Sequence, residues 1–108
     1  MTGEELERRI KAKQAPIILD VRTDFEFRSG HLPGAVHAPL LKVLQATTAV
    51  SRSKTDLIVI TCEHGPRAQL ARMLLMWRGY KNIELLDGHM ARWRHAGRSV
   101  KKNKEAGA

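Results

Sequence analysis

The sequence predicts an α/β domain with a small, mainly parallel sheet flanked by helices. Short β-branched apolar segments alternate with segments of helical length, and each apolar segment is long enough for a strand buried on both faces. Strands separated by helices pair in parallel through right-handed crossovers. With 108 residues and 12.2 kDa, the chain has room for one core and not for two. We expect one domain over residues 1–100 and a basic, flexible tail over residues 101–108.

The N-terminal part of the chain contains signals for two helical segments and two strands. A capping-box spacing between Thr2 and Glu5 predicts a helix over residues 3–13. Residues 17–21, Ile-Ile-Leu-Asp-Val, form the β-branched run of a buried strand. We expect a short helical turn over residues 23–28 and then a second, two-residue strand at residues 36–37.

The rest of the chain repeats this alternation. Residues 57–61, Leu-Ile-Val-Ile-Thr, make the clearest buried strand, and the next helix ends at Gly79. That helix carries an apolar face of four residues at helical spacing: Leu70, Met73, Leu74 and Trp77. The other expected elements are a helix over 40–49, a polar loop over 51–56, a strand over 83–86 and a helix over 88–96.

Composition excludes several classes of protein. Apolar residues make up 43% and charged residues 28% of the chain, as in soluble globular proteins, and no apolar run is long enough to span a membrane. The first residues lack the apolar stretch of a secretory signal. The single cysteine excludes an internal disulfide and a multi-cysteine zinc site, and it favours a reducing cytoplasm.

Positive charge is concentrated at the C-terminus. Residues 92–108 carry six basic residues and one acidic residue, a net +5 of the total +8. Since this segment has no periodic pattern and one aromatic residue, Trp93, we interpret it as a solvated tail and expect no binding to nucleic acid. The positive charge of the whole chain still favours the approach of small anions.

The segment after the central strand has the features of an anion-binding loop. Ligands of open α/β sheets gather beyond the C-terminal ends of the strands, where this loop lies. Backbone N–H groups and the start of the next helix would stabilise Cys62 as a thiolate, and the planar guanidinium group of Arg67 would bind an anionic substrate. We therefore expect Cys62 as nucleophile and the following five residues as the binding site: Glu63, His64, Gly65, Pro66 and Arg67.

Each of these residues also has a simpler interpretation. A cysteine after an apolar strand is often a small buried hydrophobe, His64 alone is a common loop residue, and Arg67 is also compatible with the start of an ordinary helix. Cys62 and His64 together are too few ligands to predict a metal site, and we expect none. The combination of Cys, Gly and Arg at these offsets, between a buried strand and an amphipathic helix, favours a functional site.

Three motifs of this chain resemble those of single-domain rhodaneses, the thiosulfate-type sulfurtransferases. The first comprises Leu19-Asp20-Val21-Arg22, Glu26-Phe27 and Gly30-His31-Leu32-Pro33-Gly34-Ala35; the second is Cys62-Glu63-His64-Gly65-Pro66-Arg67; the third is Leu86-Asp87-Gly88 with Trp93 and Gly97. Together they cover about residues 4–98. The resemblance implies a rhodanese-like fold.

The resemblance also implies a chemistry. Cys62 would take the outer sulfur of thiosulfate or a similar small donor, hold it as a persulfide, and pass it to cyanide, a thiol or a protein acceptor, with no cofactor. Asp20 and Arg22 would stabilise the first loop, His31 would be a buried, hydrogen-bonded histidine, and Arg22 would pair with Glu26 if the intervening turn is helical.

The chain departs from the family pattern at three positions near the site. Pro66 removes one N–H from the loop, Ala68 replaces a frequent serine, and His89 stands where a second glycine is common. The bulk of His89 would narrow the pocket or place a titratable group beside the loop. Glu63, if it faces the pocket, would disfavour a highly charged donor.

Two other functions compete with sulfur transfer as an enzyme activity. Phosphatases and arsenate reductases of the related fold place five residues between Cys and Arg, whereas this chain has four, which argues against that class. A sulfur carrier or partner-binding module with little turnover on small molecules would use the same cysteine. The sequence leaves this second alternative open.

Overall fold

The computed structural model describes residues 1–102, which form a three-layer α/β/α arrangement. The helices are α1 (Gly3–Lys11), α2 (Asp24–Ser29), α3 (Val43–Val50), α4 (Pro66–Trp77) and α5 (His89–His95), with a 3-10 turn at Leu40–Lys42 before α3. The strands are β1 (Ile17–Asp20), β2 (Val36–His37), β3 (Ile58–Thr61) and β4 (Ile83–Leu85). The helix predicted over residues 40–49 is divided into the 3-10 turn and α3. The other predicted helices and strands are present, with ends shifted by at most two residues.

The four strands form one parallel sheet in the order β2-β1-β3-β4, which confirms the predicted fold class. β3 lies in the centre beside β1, in a register that pairs Asp20 with Thr61. Because all strands run the same way, the residues that follow β1 and β3 meet at one edge of the sheet. This edge brings the first and second sequence motifs together.

Strand residues alternate between two apolar cores, one on each face of the sheet. Leu19, Ile58 and Ile60 pack with side chains of α3 and α4, whereas Ile18 and Val59 pack with side chains of α1 and α5. This burial on both faces explains why the strands are almost continuously apolar. Because all four residues of β3 are buried, the position of the loop that follows this strand is fixed.

The apolar face predicted on α4 is present, but it does not face the sheet. The sheet is contacted by a narrower set of mostly small residues on this helix, Ala68, Ala71 and Leu75. Small side chains allow the helix to pack close to β3. The four-residue apolar face, with Leu70 and Trp77 at its ends, lies on the solvent side.

The C-terminal segment returns to the first motif. The backbones of His31 and Lys101 form an antiparallel bridge with hydrogen bonds of 2.8 and 2.9 Å, one residue beyond the predicted domain boundary. The remainder of the predicted tail, residues 103–108, lies outside the described residues. Within residues 1–102, no helix has both the length and the apolar character needed to cross a membrane.

Candidate active site

Cys62 lies in the first turn of a tight loop between β3 and α4, where the sequence predicts it. Its Sγ atom accepts a hydrogen bond of 2.9 Å from the Gly65 N–H, and the residue is fully buried. Gly65 has a φ of +128°, which side-chain-bearing residues rarely adopt, and this conformation turns its N–H toward the sulfur. Pro66 then occupies the first position of α4, where proline is well accommodated. The loop therefore holds the sulfur at the start of a helix.

The N-terminus of α5 closes the back of this loop. The N–H groups of Met90 and Ala91 donate to the carbonyl oxygens of Cys62 and Glu63 at 3.0 and 3.2 Å. His89 receives the Cys62 N–H on its Nδ1 atom at 3.2 Å. The N–H and C=O groups of Cys62 and the C=O group of Glu63 are therefore all hydrogen-bonded to the first residues of α5. It is fixed by a neighbouring helix rather than by its own residues alone.

His89 was expected to lie beside the cysteine loop, and it lies directly against Cys62 and Gly65. It is buried, and its Nε2 atom lies 3.3 Å from the place where a Cβ on Gly65 would stand. Its φ of +52° is unusual for a residue with a side chain. Burial lowers its pKa, since the charged ring is poorly solvated there; Asp87 opposes this shift and His64 adds to it. The ring is consequently held neutral, in the form whose Nδ1 can accept a hydrogen bond.

Arg67 is bound to a carboxylate instead of standing free. Its Nη1 and Nη2 atoms donate to Glu26 Oε1 and Oε2 at 2.6 and 3.1 Å. This two-point contact with Arg67 lowers the pKa of Glu26 to about 2 and raises the pKa of Arg67. The pairing of Arg22 with Glu26 expected from their spacing is therefore wrong: Glu26 pairs across the sheet edge with Arg67, and it also caps α2 at Thr23.

Arg22 joins the first motif to the active-site loop. Its side chain is buried, contacts both oxygens of Asp20, and donates to the Gly30 carbonyl at 2.7 Å. Burial by itself would lower the pKa of Arg22, but the hydrogen bonds to Asp20 and the charges of Asp20, Glu63 and Glu26 together raise this pKa. Arg22 also lies 3.4 Å from Glu63. The contacts with Asp20 and Gly30 agree with the expected role of Asp20 and Arg22 in stabilising the loop that follows β1.

Glu63 does not present an uncompensated charge to the site. Its carboxylate is bound by Arg22 on one oxygen and by Arg94 on the other. These two guanidinium groups balance its negative charge, so the repulsion of an anionic donor that Glu63 could exert is weakened. A cleft of about 410 Å³ opens beside this group and is also bordered by Phe25 and Glu26.

The remaining predicted residues lie at the periphery. His64 and Pro66 are both exposed, and Pro66 is the first residue of α4. His31 is half-buried, bonded to the Phe27 carbonyl at 2.8 Å and stacked on the Phe27 ring. Among residues 1–102 no group of three or more His, Cys, Asp or Glu side chains could hold a metal ion.

Two contacts of the loop were not predicted from the sequence, those of Glu26 with Arg67 and of Arg94 with Glu63. Glu26 lies next to Arg67 only because α2 follows β1 and α4 follows β3, two neighbouring parallel strands. Arg94 reaches Glu63 from α5. The order of strands in the sheet would have been needed to predict either contact, and local spacing does not carry that information.

Comparison with known proteins agrees with this geometry. Residues 2–96 match the family described as "Rhodanese-like domain". The chain is 28% identical over 82 residues to a thiosulfate sulfurtransferase GlpE from Pseudomonas savastanoi pv. phaseolicola, with 76% of each chain covered. It is 29% identical over 90 residues to the putative sulfur carrier protein YrkF of Bacillus subtilis, covering 83% of this chain and only about half (48%) of that relative.

Solved structures contain the same fold. A crystal structure of a thiosulfate sulfurtransferase from Pseudomonas aeruginosa superimposes with a TM-score of 0.86 and 25% identity. It covers 95% of this chain, which in turn spans 20% of that longer protein. The match to the family over nearly the whole chain, with the parallel sheet and the cysteine loop in place, shows that this chain belongs to the rhodanese-like domain family.

Proposed function

We propose that this protein is a sulfurtransferase that moves a sulfane sulfur from thiosulfate, or a similar small donor, to a nucleophilic acceptor through a persulfide on Cys62. The observation that carries the proposal is the hydrogen bond from the Gly65 N–H to the Cys62 sulfur at the start of α4. A backbone donor and a helix N-terminus both stabilise negative charge on that sulfur. The same groups favour a persulfide anion after sulfur has been added.

The first half-reaction forms one S–S bond and breaks another. The Cys62 thiolate attacks the outer sulfur of thiosulfate, and sulfite leaves with the electron pair of the old S–S bond. Arg67 supplies the cation that attracts the anionic donor, because it is the second residue of α4 and lies at the end of the cysteine loop. To bind that donor, Arg67 must loosen its contact with Glu26.

The second half-reaction returns the enzyme to its starting form. Cyanide or a thiolate attacks the terminal sulfur of the persulfide, and Cys62 leaves as a thiolate that the loop stabilises again. Since Cys62 is the only cysteine of the chain, no internal thiol can resolve the persulfide as a disulfide. The acceptor must come from outside this chain, and the cycle needs a compartment that keeps the thiol reduced, such as the cytoplasm.

A steady-state assay tests this proposal. Thiosulfate and cyanide should give thiocyanate and sulfite with the parallel double-reciprocal lines of a ping-pong mechanism. Cys62→Ser should abolish the reaction while leaving the thermal melting temperature close to that of the wild type. Unchanged turnover in this variant would refute the role of Cys62. Hydrolysis of an aryl phosphate that depends on Cys62 would assign the loop to a phosphatase instead.

A carrier role is the second candidate, supported by the name of the relative YrkF, a putative sulfur carrier protein. In that case the same persulfide forms, but small acceptors receive the sulfur slowly. Single-turnover rates separate the two functions: loading with thiosulfate followed by slow release to cyanide and small thiols indicates a carrier. Rapid release to them indicates an enzyme that acts on small molecules.

A further inference from the structure

An apolar groove runs along the side of the molecule opposite α1 and α5. It lies between the 3-10 turn with α3 on one side and α4 on the other, and its volume is about 1070 Å³. Its walls are formed mainly by large apolar side chains: Leu41, Leu44, Leu70, Met73, Leu74 and Trp77. Three of these are strongly exposed, with Leu41 at 98%, Trp77 at 79% and Met73 at 63%. Contiguous apolar surface of this kind usually marks an interaction site.

Within residues 1–102, the one charged residue that lines the groove is basic, Arg78. No Asp or Glu occurs in residues 30–55 or 66–83, the segments that contain its two walls. The basic residues of these segments are Lys42, Arg52, Lys54, Arg67, Arg72, Arg78 and Lys81. Arg67 is paired with Glu26, whereas Arg78 forms no ion pair with another residue in the described range 1–102. Arg78 itself lines the groove at one end. An occupant with acidic residues beside an apolar stripe would complement both the apolar walls of the groove and Arg78 at its end.

From this combination we propose that the groove docks an acidic, amphipathic helix of a partner protein. An apolar cleft between two helices fits the helix-in-groove mode of recognition, in which apolar residues at helical spacing fill the cleft. A second copy of this chain is a poor occupant, because it would bring a net charge of +8 to a groove that is lined by the basic residue Arg78. The concave shape also favours a helix over a flat lipid surface.

The position of the groove connects it to the candidate active site. α4 begins at Pro66, directly after the cysteine loop, and the 3-10 turn follows β2 at the same edge of the sheet. A helix docked along α4 would therefore extend toward the loop that contains Cys62. The docking surface does not depend on the chemistry of that cysteine, and it can be tested separately from sulfur transfer.

The test uses a fluorescein-labelled synthetic peptide that forms an amphipathic helix, with a leucine stripe flanked by glutamates. A matched peptide carries lysine in place of each glutamate. We expect fluorescence anisotropy to show saturable binding of the glutamate peptide, weakened by salt, and no binding of the lysine peptide. Cys62→Ser should bind the glutamate peptide as the wild type does, so a failure of the sulfur chemistry leaves this result unaffected.

Two exposed methionines of the same helix give a matched pair of variants. Met73 lines the groove, whereas Met76, half exposed, does not. Met73→Ser should weaken binding of the glutamate peptide about tenfold, a common effect at the centre of an interface, and Met76→Ser should leave it unchanged. Arg78→Ser should reduce the dependence of binding on salt. Both methionine variants replace surface side chains, and a thermal melt checks that they are folded.

Several results would overturn the proposal. They are no binding of the glutamate peptide, equal binding of both peptides, or equal loss in Met73→Ser and Met76→Ser. Self-association in analytical ultracentrifugation that disappears in Trp77→Ser would assign the groove to a second copy of the chain. Binding to phosphatidylserine vesicles that disappears in the same variant would assign it to a membrane surface.

Discussion

At the scale of single residues, His89 of α5 is hydrogen-bonded to the backbone of the nucleophile, Cys62. Its Nδ1 accepts the Cys62 N–H only when that nitrogen carries no proton. Acidification below the ordinary histidine pKa of about 6.5 should therefore lower kcat/KM as the ring becomes protonated. His89→Asn keeps an acceptor oxygen at a similar position, tolerates a positive φ and does not titrate. The kcat/KM of His89→Asn should not show the decrease at low pH that protonation of His89 causes in the wild type. Identical pH profiles of the two proteins would exclude a role of His89 in this decrease.

The same histidine should affect the stability of the fold. Because burial lowers the pKa of His89 in the folded state, the unfolded state takes up a proton first as the pH falls. The free energy of unfolding should therefore decrease below about pH 6.5 and level off once the folded histidine is also protonated. Urea unfolding at several pH values should show a smaller decrease for His89→Asn than for the wild type.

Gly65 is required both by its conformation and by its surroundings. Its φ is +128°, and an added Cβ would stand 3.3 Å from His89 Nε2. An alanine at this φ would introduce roughly 1–3 kcal/mol of backbone strain, and the loop would relieve it by moving the N–H away from the sulfur. Gly65→Ala should therefore lower kcat/KM tenfold or more. Gly79→Ala is the matched control, since its φ is +96° and nothing lies within 4 Å of its Cβ position. Equal activity losses in the two variants would indicate a general loss of stability instead.

At the scale of elements, the contact between Glu26 of α2 and Arg67 of α4 competes with donor binding. Glu26→Gln keeps the acceptor that caps Thr23 but removes the negative charge that holds Arg67. The KM for thiosulfate should fall severalfold, with little change in kcat. A KM that rises, or stays constant, would show that Arg67 does not bind the donor.

This ion pair also predicts a pH dependence of folding. The pKa of Glu26 is lowered from 4.5 to about 2, so its contribution to stability is complete above pH 4.5 and disappears as the pH falls through about 2. Thermal melts across this range should show a shallower acid loss for Glu26→Gln. The pair is partly exposed, so added salt should reduce the difference.

The secondary structure could be predicted from local pattern, but the orientation of α4 could not. Its periodicity correctly gives an apolar face through Leu70, Met73 and Trp77. The tight packing against the sheet selects Ala68 and Ala71 instead, because small residues allow a closer approach. A helix with two apolar faces carries no local information about which of them is buried.

At the scale of the whole molecule, the loop of the candidate site could be predicted from the sequence, but the residues around it could not. The loop from Cys62 to Arg67 could be located from the sequence because its features are contiguous: a buried strand, a cysteine, a glycine and a helix start. Its environment depends on tertiary structure. Glu26 comes from α2 and His89 from α5, elements that meet the loop only through the order of strands in the sheet.

The central claim is that Cys62 carries sulfur as a persulfide, and intact-protein mass spectrometry tests it most directly. Wild type and Cys62→Ser are incubated with thiosulfate, and each sample is then divided and treated with or without cyanide. We expect the mass of one added sulfur atom on the wild type alone, and its removal by cyanide. Absence of the added mass on the wild type, or the same added mass on Cys62→Ser, would contradict the account.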